Sequence, residues 1–147
     1  MLLFVILLIV IVPITNFIHE WGHILLARSL KVTGTMIELG VGPKICSFRL
    51  LGCQCQINAV YFLGAQSFNE SDEVISNWNK GLIALGGPLG NLFIAILLSI
   101  SITIEDKAIW LFMLFNFWVG FVNLLPFKFF KKESDGLIFT KVLVQEM

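Results

Sequence analysis

The sequence predicts an α-helical membrane protein with three transmembrane helices and a small interfacial β-hairpin or sheet after the first helix. Hydrophobic residues make up 57% of the chain and charged residues 14%, whereas soluble domains carry about 25% charged residues. Three apolar stretches are long enough to cross a bilayer. Between the first two, short alternations of apolar and polar residues are typical of β-strands. We expect one domain over the 147 residues.

The first predicted helix covers residues 1–30 and carries an HExxH motif at residues 19–23. It lacks a basic start and a small-residue cleavage site, so we expect it to be retained rather than removed as a signal peptide. Pro13 is the expected site of a bend. From Leu2 to His19 the helix rises about 26 Å through a hydrocarbon core of about 30 Å. The motif should therefore lie inside the membrane, near the face where this helix leaves it.

The HExxH motif has the residue types and spacing of a metal site. Residues four apart share one face of a helix, so His19 and His23 can direct imidazole nitrogens at one ion. Glu20 stands where a general base for water activation would be placed. Two histidines on a helix can also be ordinary polar core residues. An ionisable cluster at membrane depth is costly and usually functional, so its location favours the metal site.

Residues 33–68 are predicted to form a β-rich interfacial segment, with strands near residues 35–41, 44–51 and 54–60. Open sheet edges are not tolerated against lipid. The segment should therefore lie at the membrane interface or be shielded by the helices. An edge strand within residues 35–60 could bind an extended peptide by strand addition.

The three cysteines, Cys46, Cys53 and Cys55, all fall in this β-rich segment. The close pair could indicate a metal or redox site, but no second pair accompanies it. We favour reduced thiols without a metal, on a cytosolic segment.

The second predicted helix covers residues 81–104 and combines small residues with a polar one. Gly86 and Gly90 are spaced for close packing against another helix. Asn91 is harder to explain by packing, because an amide at membrane depth needs a partner or a role at a polar centre.

The third predicted helix covers residues 108–127, and a cytosolic tail follows at residues 128–147. Of the ten Lys and Arg residues, all but Lys107 fall on the side that holds the β-rich segment and the tail. We expect an integral protein of a bacterial cell membrane. By the positive-inside rule, its N-terminus should lie outside and the HExxH motif near the cytosolic face. The net charge is zero, which gives no indication of nucleic-acid binding.

A catalytic zinc site needs a third protein ligand, and the chain has only two histidines. Asp135 follows the third helix on the side of the motif, whereas Glu105 and Asp106 lie on the far side and Asp72 lies in a polar loop. Asp135 could equally be a solvated turn carboxylate before a glycine. Topology alone also leaves open five glutamates: Glu38, Glu70, Glu73, Glu133 and Glu146.

Four blocks, in order across nearly the whole chain, resemble the site-2 protease family of intramembrane zinc metalloproteases in a minimal three-helix form. The first is the HExxH helix. The second, residues 39–45 with 58–64, resembles the family's membrane-associated β-hairpin. The third, GPLGN at residues 87–91, resembles its GPxxN block. The fourth, NLLP at residues 123–126 with Asp135-Gly136, resembles its NLLP…DG block.

This resemblance implies a Zn²⁺-dependent metalloendopeptidase that acts on a membrane protein or peptide substrate in the lipid bilayer. It implies metal ligation by His19, His23 and Asp135, with Glu20 as catalytic base and Asn91 as a further catalytic group. This sequence departs from the family pattern before Asp135. Residues 127–134 are longer and basic, and the last of them is a serine where the family has leucine.

Two other functions are open at this point. One is a catalytically inactive membrane binding protein of the same fold that retains or presents a partner. The other is a small transporter or channel component, suggested by Asn91, Asn116 and Asn123; it leaves HExxH unexplained and needs oligomerisation to enclose a pore. A regulatory membrane partner and a homo-oligomer are also open.

Overall fold

The computed structural model describes residues 1–69, 75–101, 106–130 and 132–145. Within them, three helices are long and apolar enough to cross a membrane, and a small antiparallel sheet follows the first. These helices are α1 (Leu2–Ser29), α2 (Asn77–Ser101) and α3 (Lys107–Leu124), and the long strands are β1 (Thr35–Leu50) and β2 (Cys53–Asn69). A short hairpin of β3 (Lys128–Phe129) and β4 (Lys132–Glu133) and a last helix α4 (Asp135–Gln145) complete the described chain.

Helix α1 is irregular near Pro13, where the sequence predicts a bend. A π-helical segment, Leu7–Ile11, comes just before the proline. Pro13 has no N–H to donate to the carbonyl of residue 9, so the regular hydrogen-bond pattern is interrupted there. The helix ends with Lys31 in the left-handed region (φ 63°), while the Val32 N–H donates to the Ala27 carbonyl at 2.9 Å. This terminal motif turns the chain towards the sheet.

Helix α2 begins at Asn77 rather than at the predicted residue 81. The Ser76 hydroxyl accepts a hydrogen bond from the Asn79 N–H at 3.2 Å and caps the helix. The cap adds a polar first turn to the apolar stretch. The predicted end at residue 104 lies outside the described residues.

Helix α3 ends at Leu124 rather than at the predicted residue 127. Leu125 is extended (φ −71°, ψ 136°) because it precedes Pro126, whose ring disfavours helical backbone before it. At the other end, the Asp106 carboxylate accepts from the Ala108 N–H at 2.7 Å. The tail predicted from residue 128 onward contains the β3–β4 hairpin and helix α4.

Strands β1 and β2 each contribute two runs to one sheet. Residues 35–39 pair with residues 65–69 on one side. On their other side, residues 36–39 pair with residues 54–57. Residues 46–50 pair with residues 53–57. Among the described residues, the runs 46–50 and 65–69 therefore form the two edges. The sequence predicts strands at 35–41, 44–51 and 54–60 and misses the last run. That run follows Gly64, which takes φ 85° where the strand bends.

The sheet packs on α1 through a buried cluster of Ile24, Ile37, Cys53 and Cys55. Helix α2 crosses α1 at very close range. A Cβ on Gly86 would lie 2.7 Å from the carbonyl carbon of Gly22, so no larger residue fits at this crossing. The small-residue surface that the sequence predicts on α2 thus contacts α1. It brings the two helix backbones close enough for residues of α2 to approach the HExxH motif.

Candidate metal centre

Side chains from α1 and α4 approach one another next to α2. His19 and His23 lie one turn apart on α1, and their ring centroids are 4.8 Å apart. Asp135 is the first residue of α4. Its carboxylate oxygens lie 3.1 Å from His19 Nε2 and 3.6 Å from His23 Nε2. Among the described residues, these three are the group of candidate ligands close enough to share one ion, with their ligand atoms within 4.8 Å of one another.

The arrangement fits a catalytic zinc ion. Ligand atoms around tetrahedral zinc are separated by about 3.3 Å, and the distances from Asp135 to the two rings bracket that value. Two imidazoles and a carboxylate are also a donor set that leaves a fourth position open. Gly87 of α2 faces the same space. A Cβ there would lie 2.6 Å from His19 Nε2 and closer still to His23 Nε2, so only glycine leaves the space between the rings free.

A backbone carbonyl of α2 orients one imidazole. His23 Nδ1 lies 2.8 Å from the Ile83 carbonyl oxygen, which requires the proton on Nδ1 and leaves the Nε2 lone pair for a metal. The Gly87 N–H also lies near the same nitrogen, at 3.2 Å. We assign the proton to Nδ1 because the contact to the carbonyl oxygen is the shorter of the two and a carbonyl oxygen can only accept. His19 Nδ1 is buried with no partner among the described residues. The two imidazoles are therefore held differently.

The candidate ligands open into a cavity of about 490 Å³ that Glu20 also lines. One wall comes from the sheet edge, where residues 65–67 and Asn69 face the cavity. The remaining wall consists of side chains from α2, α3, α4 and the segments between them: Ile75, Lys80, Ile83, Ala84, Asn123, Lys132, Glu133 and Ile138. The Glu20 side chain, the candidate general base, and an edge run of the described sheet thus line one cavity with the three candidate ligands.

Two of the alternative acidic residues have other partners. Glu133 pairs with Lys141 at 2.6 Å and with Lys128 at 3.5 Å, and the hydrogen bond from Lys141 is the main cause that lowers the pKa of Glu133. Glu38 accepts hydrogen bonds from three side-chain amides within the sheet. Asp72, Glu70, Glu73 and Glu146 lie outside the described residues.

Asn91, expected at the active site, lies in the helix core and is not among the residues that line the cavity. It is fully buried, and neither amide atom has a partner among the described residues. A second buried amide, Asn116, donates to Thr15 at 3.1 Å and links α3 to α1. Asn123 does line the cavity. The catalytic role of Asn91 stays a prediction.

The sequence model of peptidase family M50, the family of the site-2 proteases, matches residues 3–107. The chain belongs to peptidase family M50. This match includes the HExxH helix, the sheet and α2. It ends before Asp135, so the position of Asp135 beside the two histidines is an independent geometric observation.

Three relatives of this M50 chain carry two kinds of name. Two proteins named "Putative zinc metalloprotease" are similar to it: one from Borreliella burgdorferi, 33% identical over 106 residues, and one from Thermotoga maritima, 31% identical over 102 residues. These matches cover 59% and 60% of this chain but only 24% and 20% of the relatives. The "Uncharacterized membrane protein YwmF" of Bacillus subtilis is 25% identical over 140 residues, which is 92% of this chain and 85% of that protein.

Three features of the site are missing from the sequence prediction. The Ile83 carbonyl is a backbone group, so no residue type signals it. Gly87 is visible only as part of the GPLGN block, without its contact to the imidazoles. The run 65–69 has two adjacent polar residues, Gln66 and Ser67, so alternation of polar and apolar residues does not mark it as a strand.

Proposed function

We propose that this M50 chain is a zinc-dependent intramembrane endopeptidase that cleaves membrane-embedded or membrane-proximal peptide segments. The observation that carries the proposal is the convergence of His19, His23 and Asp135 in a cavity that also holds the Glu20 carboxylate. Residues far apart in the chain meet there with the donor types of a catalytic zinc site. The M50 membership and the names of the relatives support the same class of activity.

Each side chain has a distinct task in this proposal. Zinc, when bound, supplies a Lewis acid and lowers the pKa of a water molecule to about 7. Glu20 takes the proton from the water and passes it to the leaving amine. The Ile83 carbonyl keeps the His23 ring in the tautomer that presents Nε2. Asn91 has no assigned contact in this proposal, because it lies in the helix core and does not line the cavity; its catalytic role rests on the family resemblance alone.

The edge run 65–69 is the best candidate for binding the substrate backbone. Peptide bonds in a helical substrate are hidden in its own hydrogen bonds, so the substrate must be extended before cleavage. Residues 65–69 pair on one side with residues 35–39, and residues 65–67 and 69 line the cavity. An extended peptide added to this edge would lie beside Glu20. Within the predicted range 35–60, residues 36–39 and 54–57 are paired on both sides, and the edge run 46–50 does not line the cavity. We therefore propose 65–69 as the substrate edge.

We propose further that α1, α2 and α3 span the bilayer, with the N-terminus outside and the metal centre near the cytosolic face. All three are long and apolar enough, and the basic residues lie on the side of the sheet and the tail. Large apolar side chains are exposed along the helices, as lipid-facing surfaces require: Phe93, Ile96 and Ile100 on α2, and Leu114, Phe117 and Trp118 on α3.

The test is a Glu20→Gln variant of the full chain, measured for zinc content and for cleavage of co-expressed single-span membrane proteins. We expect unchanged zinc and a loss of cleavage of at least about 100-fold, since general acid–base catalysis contributes about 10²–10⁴-fold. Glu133→Gln is the matched control, because Glu133 lines the same cavity and should keep activity. Substantial cleavage by the Glu20 variant would refute its assigned role. A wild-type chain that binds zinc and cleaves nothing would support the inactive binding protein instead.

The substrate edge has a test of its own. Proline has no N–H and interrupts strand pairing, so a proline scan of residues 65–69 should lower cleavage while zinc stays bound. The same scan of residues 46–50, the opposite edge of the sheet, is the control and should leave cleavage intact. Unaffected cleavage in the first scan would count against strand addition at this edge.

A further inference from the structure

The connection between α3 and α4 contains the β3–β4 hairpin, whose two ends are held together by hydrogen bonds. Lys128 pairs with Glu133 and Phe129 with Lys132, so the long basic segment forms a hairpin. Phe129 and Phe130 at its tip are exposed. The metal-facing Asp135 comes two residues after the hairpin. The position of its carboxylate therefore depends on how firmly the two ends of the hairpin are joined.

Ser134 joins these ends with its side chain. It is buried, and its hydroxyl donates to the Leu125 carbonyl at 2.7 Å. The same oxygen accepts from the Phe127 N–H at 3.0 Å and from the Leu137 N–H at 3.2 Å. A hydroxyl offers one donor and two acceptor positions, so all of its hydrogen-bonding capacity is used. One side chain thus connects the end of α3, the start of the hairpin and the first turn of α4.

Gly136, on the other side of Asp135, is also packed against the end of α3. A Cβ at Gly136 would lie 2.5 Å from the Leu124 carbonyl carbon, so the first turn of α4 touches the backbone of α3 directly. Asp135 therefore stands between two residues that are each held against the last turn of α3. Its own carboxylate points to the imidazoles, at 3.1 and 3.6 Å.

We propose that Ser134 is a positioning residue for the metal centre: it holds the Asp135 carboxylate at the ligand position through its bond to Leu125. This inference rests on the proposed function, in which Asp135 is the third ligand. A simple helix cap would use only the bond from the Leu137 N–H. The bond to the Leu125 carbonyl contributes nothing to capping. It fixes α4 relative to α3, and α3 packs against α2 beside the site.

The experiment measures zinc affinity by chelator competition, and the absorption spectrum of bound Co²⁺, for the full chain and four variants. Ser134→Ala should weaken zinc binding by about 10- to 100-fold, the usual effect of removing a group that orients a ligand. Ser134→Thr keeps the hydroxyl and should bind within a few-fold of the wild type. Thr140→Val is the matched control, because the Thr140 hydroxyl bonds only to Leu137 within α4, and it should bind as the wild type does.

Ser134→Gly separates positioning from capping. Glycine is nearly as good a helix cap as serine, but it cannot donate to Leu125. We expect the glycine variant to bind zinc as weakly as the alanine variant and to alter the Co²⁺ spectrum. Thermal unfolding of the metal-free proteins shows which variants are folded. If the alanine variant is unfolded, the zinc affinities of the glycine and threonine variants test the positioning role.

The outcomes separate this inference from the proposed function. If the wild type binds zinc and Ser134→Gly binds it equally tightly, the positioning role is overturned while the metal centre stands. If the wild type binds no zinc, both are overturned. A weakened glycine variant together with a wild-type-like threonine variant supports the role of Ser134.

Discussion

Gly87 has no side chain, and this leaves space between the imidazoles of His19 and His23. A Cβ there would lie 2.6 Å from His19 Nε2, in the space between the two rings. We predict that Gly87→Ala lowers zinc binding by at least about 10-fold although all three candidate ligands remain, because the added methyl group would occupy the space between the imidazoles and force the rings to move. Metal analysis of purified protein measures this loss.

Gly90→Ala is the control for this prediction. It lies on the same helix, where a Cβ would be 3.3 Å from the Ile18 carbonyl oxygen, and both substitutions raise helix propensity equally. We expect this variant to keep its zinc. Stoichiometric zinc in the Gly87 variant would contradict the placement of the metal between the rings.

The cysteines differ in environment in a way that predicts their reactivity. Cys53 and Cys55 are buried against α1, whereas Cys46 is exposed. Burial, with a further contribution from Cys53, raises the pKa of Cys55 to about 11. The thiolate is the reactive form, so near pH 8 a maleimide should add to Cys46 alone. Intact-mass measurement of the folded protein should show one adduct, and the denatured chain three. A second adduct that forms as fast in the folded protein would contradict this burial.

At the residue scale, the sequence predicts which residue types could bind a metal, and the structure shows how their side chains are oriented. The spacing of His19 and His23 on one helix face follows from helical geometry alone. Asp135 was one of several acidic residues left open by topology, and the structure brings it to the two rings. The three cysteines form no disulfide, and the expectation that they bind no metal stays a prediction. The Ile83 carbonyl could not be predicted, since every residue has one.

At the scale of elements, the carboxylate of Glu38 ties three runs of the sheet together. It accepts from Asn58 at 2.7 Å, from Gln66 at 2.9 Å and from Gln56 at 3.2 Å. Gln66 belongs to the edge run that lines the cavity. The hydrogen bonds, from Asn58 first and Gln66 second, lower the pKa of Glu38. The charged form of this side chain therefore stabilises the sheet.

The sign of the resulting pH dependence follows from linkage. A carboxyl group whose pKa is lower in the folded protein stabilises it fully above the ordinary pKa of 4.5 and loses that effect as the pH falls through the lower folded value. We predict that the unfolding temperature of Glu38→Gln in detergent falls less than that of the wild type as the pH is lowered from about 7 to about 3. Thermal scans across this range measure the difference. Equal slopes for the two proteins would contradict the prediction.

Local sequence predicts some of the helix ends. Pro126 stops α3 two residues before it, and Ser76 caps α2; both follow from local chemistry. The sheet is different, because its order depends on pairing between residues far apart. Residues 35–39 lie between two runs of β2, and local alternation of polar and apolar residues cannot specify which neighbour a strand takes.

At the scale of the molecule, the exposed Cys46 is a natural reporter of orientation. It lies in the run 46–50 at the outer edge of the sheet. With the N-terminus outside, a membrane-impermeant maleimide should label it in inside-out vesicles and leave it unlabelled in intact cells. Cys46→Ser is the control and should abolish labelling in both. Labelling of intact cells would place the sheet outside and overturn the proposed topology.

The three long apolar helices and the sheet after the first follow from hydropathy and alternation and are confirmed. Their assembly into a site could not be predicted with the same detail. Close contact of Gly22 with Gly86 brings Ile83 and Gly87 to the imidazoles, and such contacts depend on helix register. The sequence indicates that small residues are present, but it does not specify which pair meets.

Because Ser134 closes the base of the β3–β4 hairpin, the number of residues in the hairpin has little effect on the position of the Asp135 carboxylate. Doubling the length of a flexible loop costs only about 0.6 kcal/mol, and here the added residues would extend from the tip at Phe129 and Phe130. Chains with shorter or longer hairpins can therefore share one ligand geometry. A reporter peptide grafted at this tip would be carried close to the cavity without displacing Asp135.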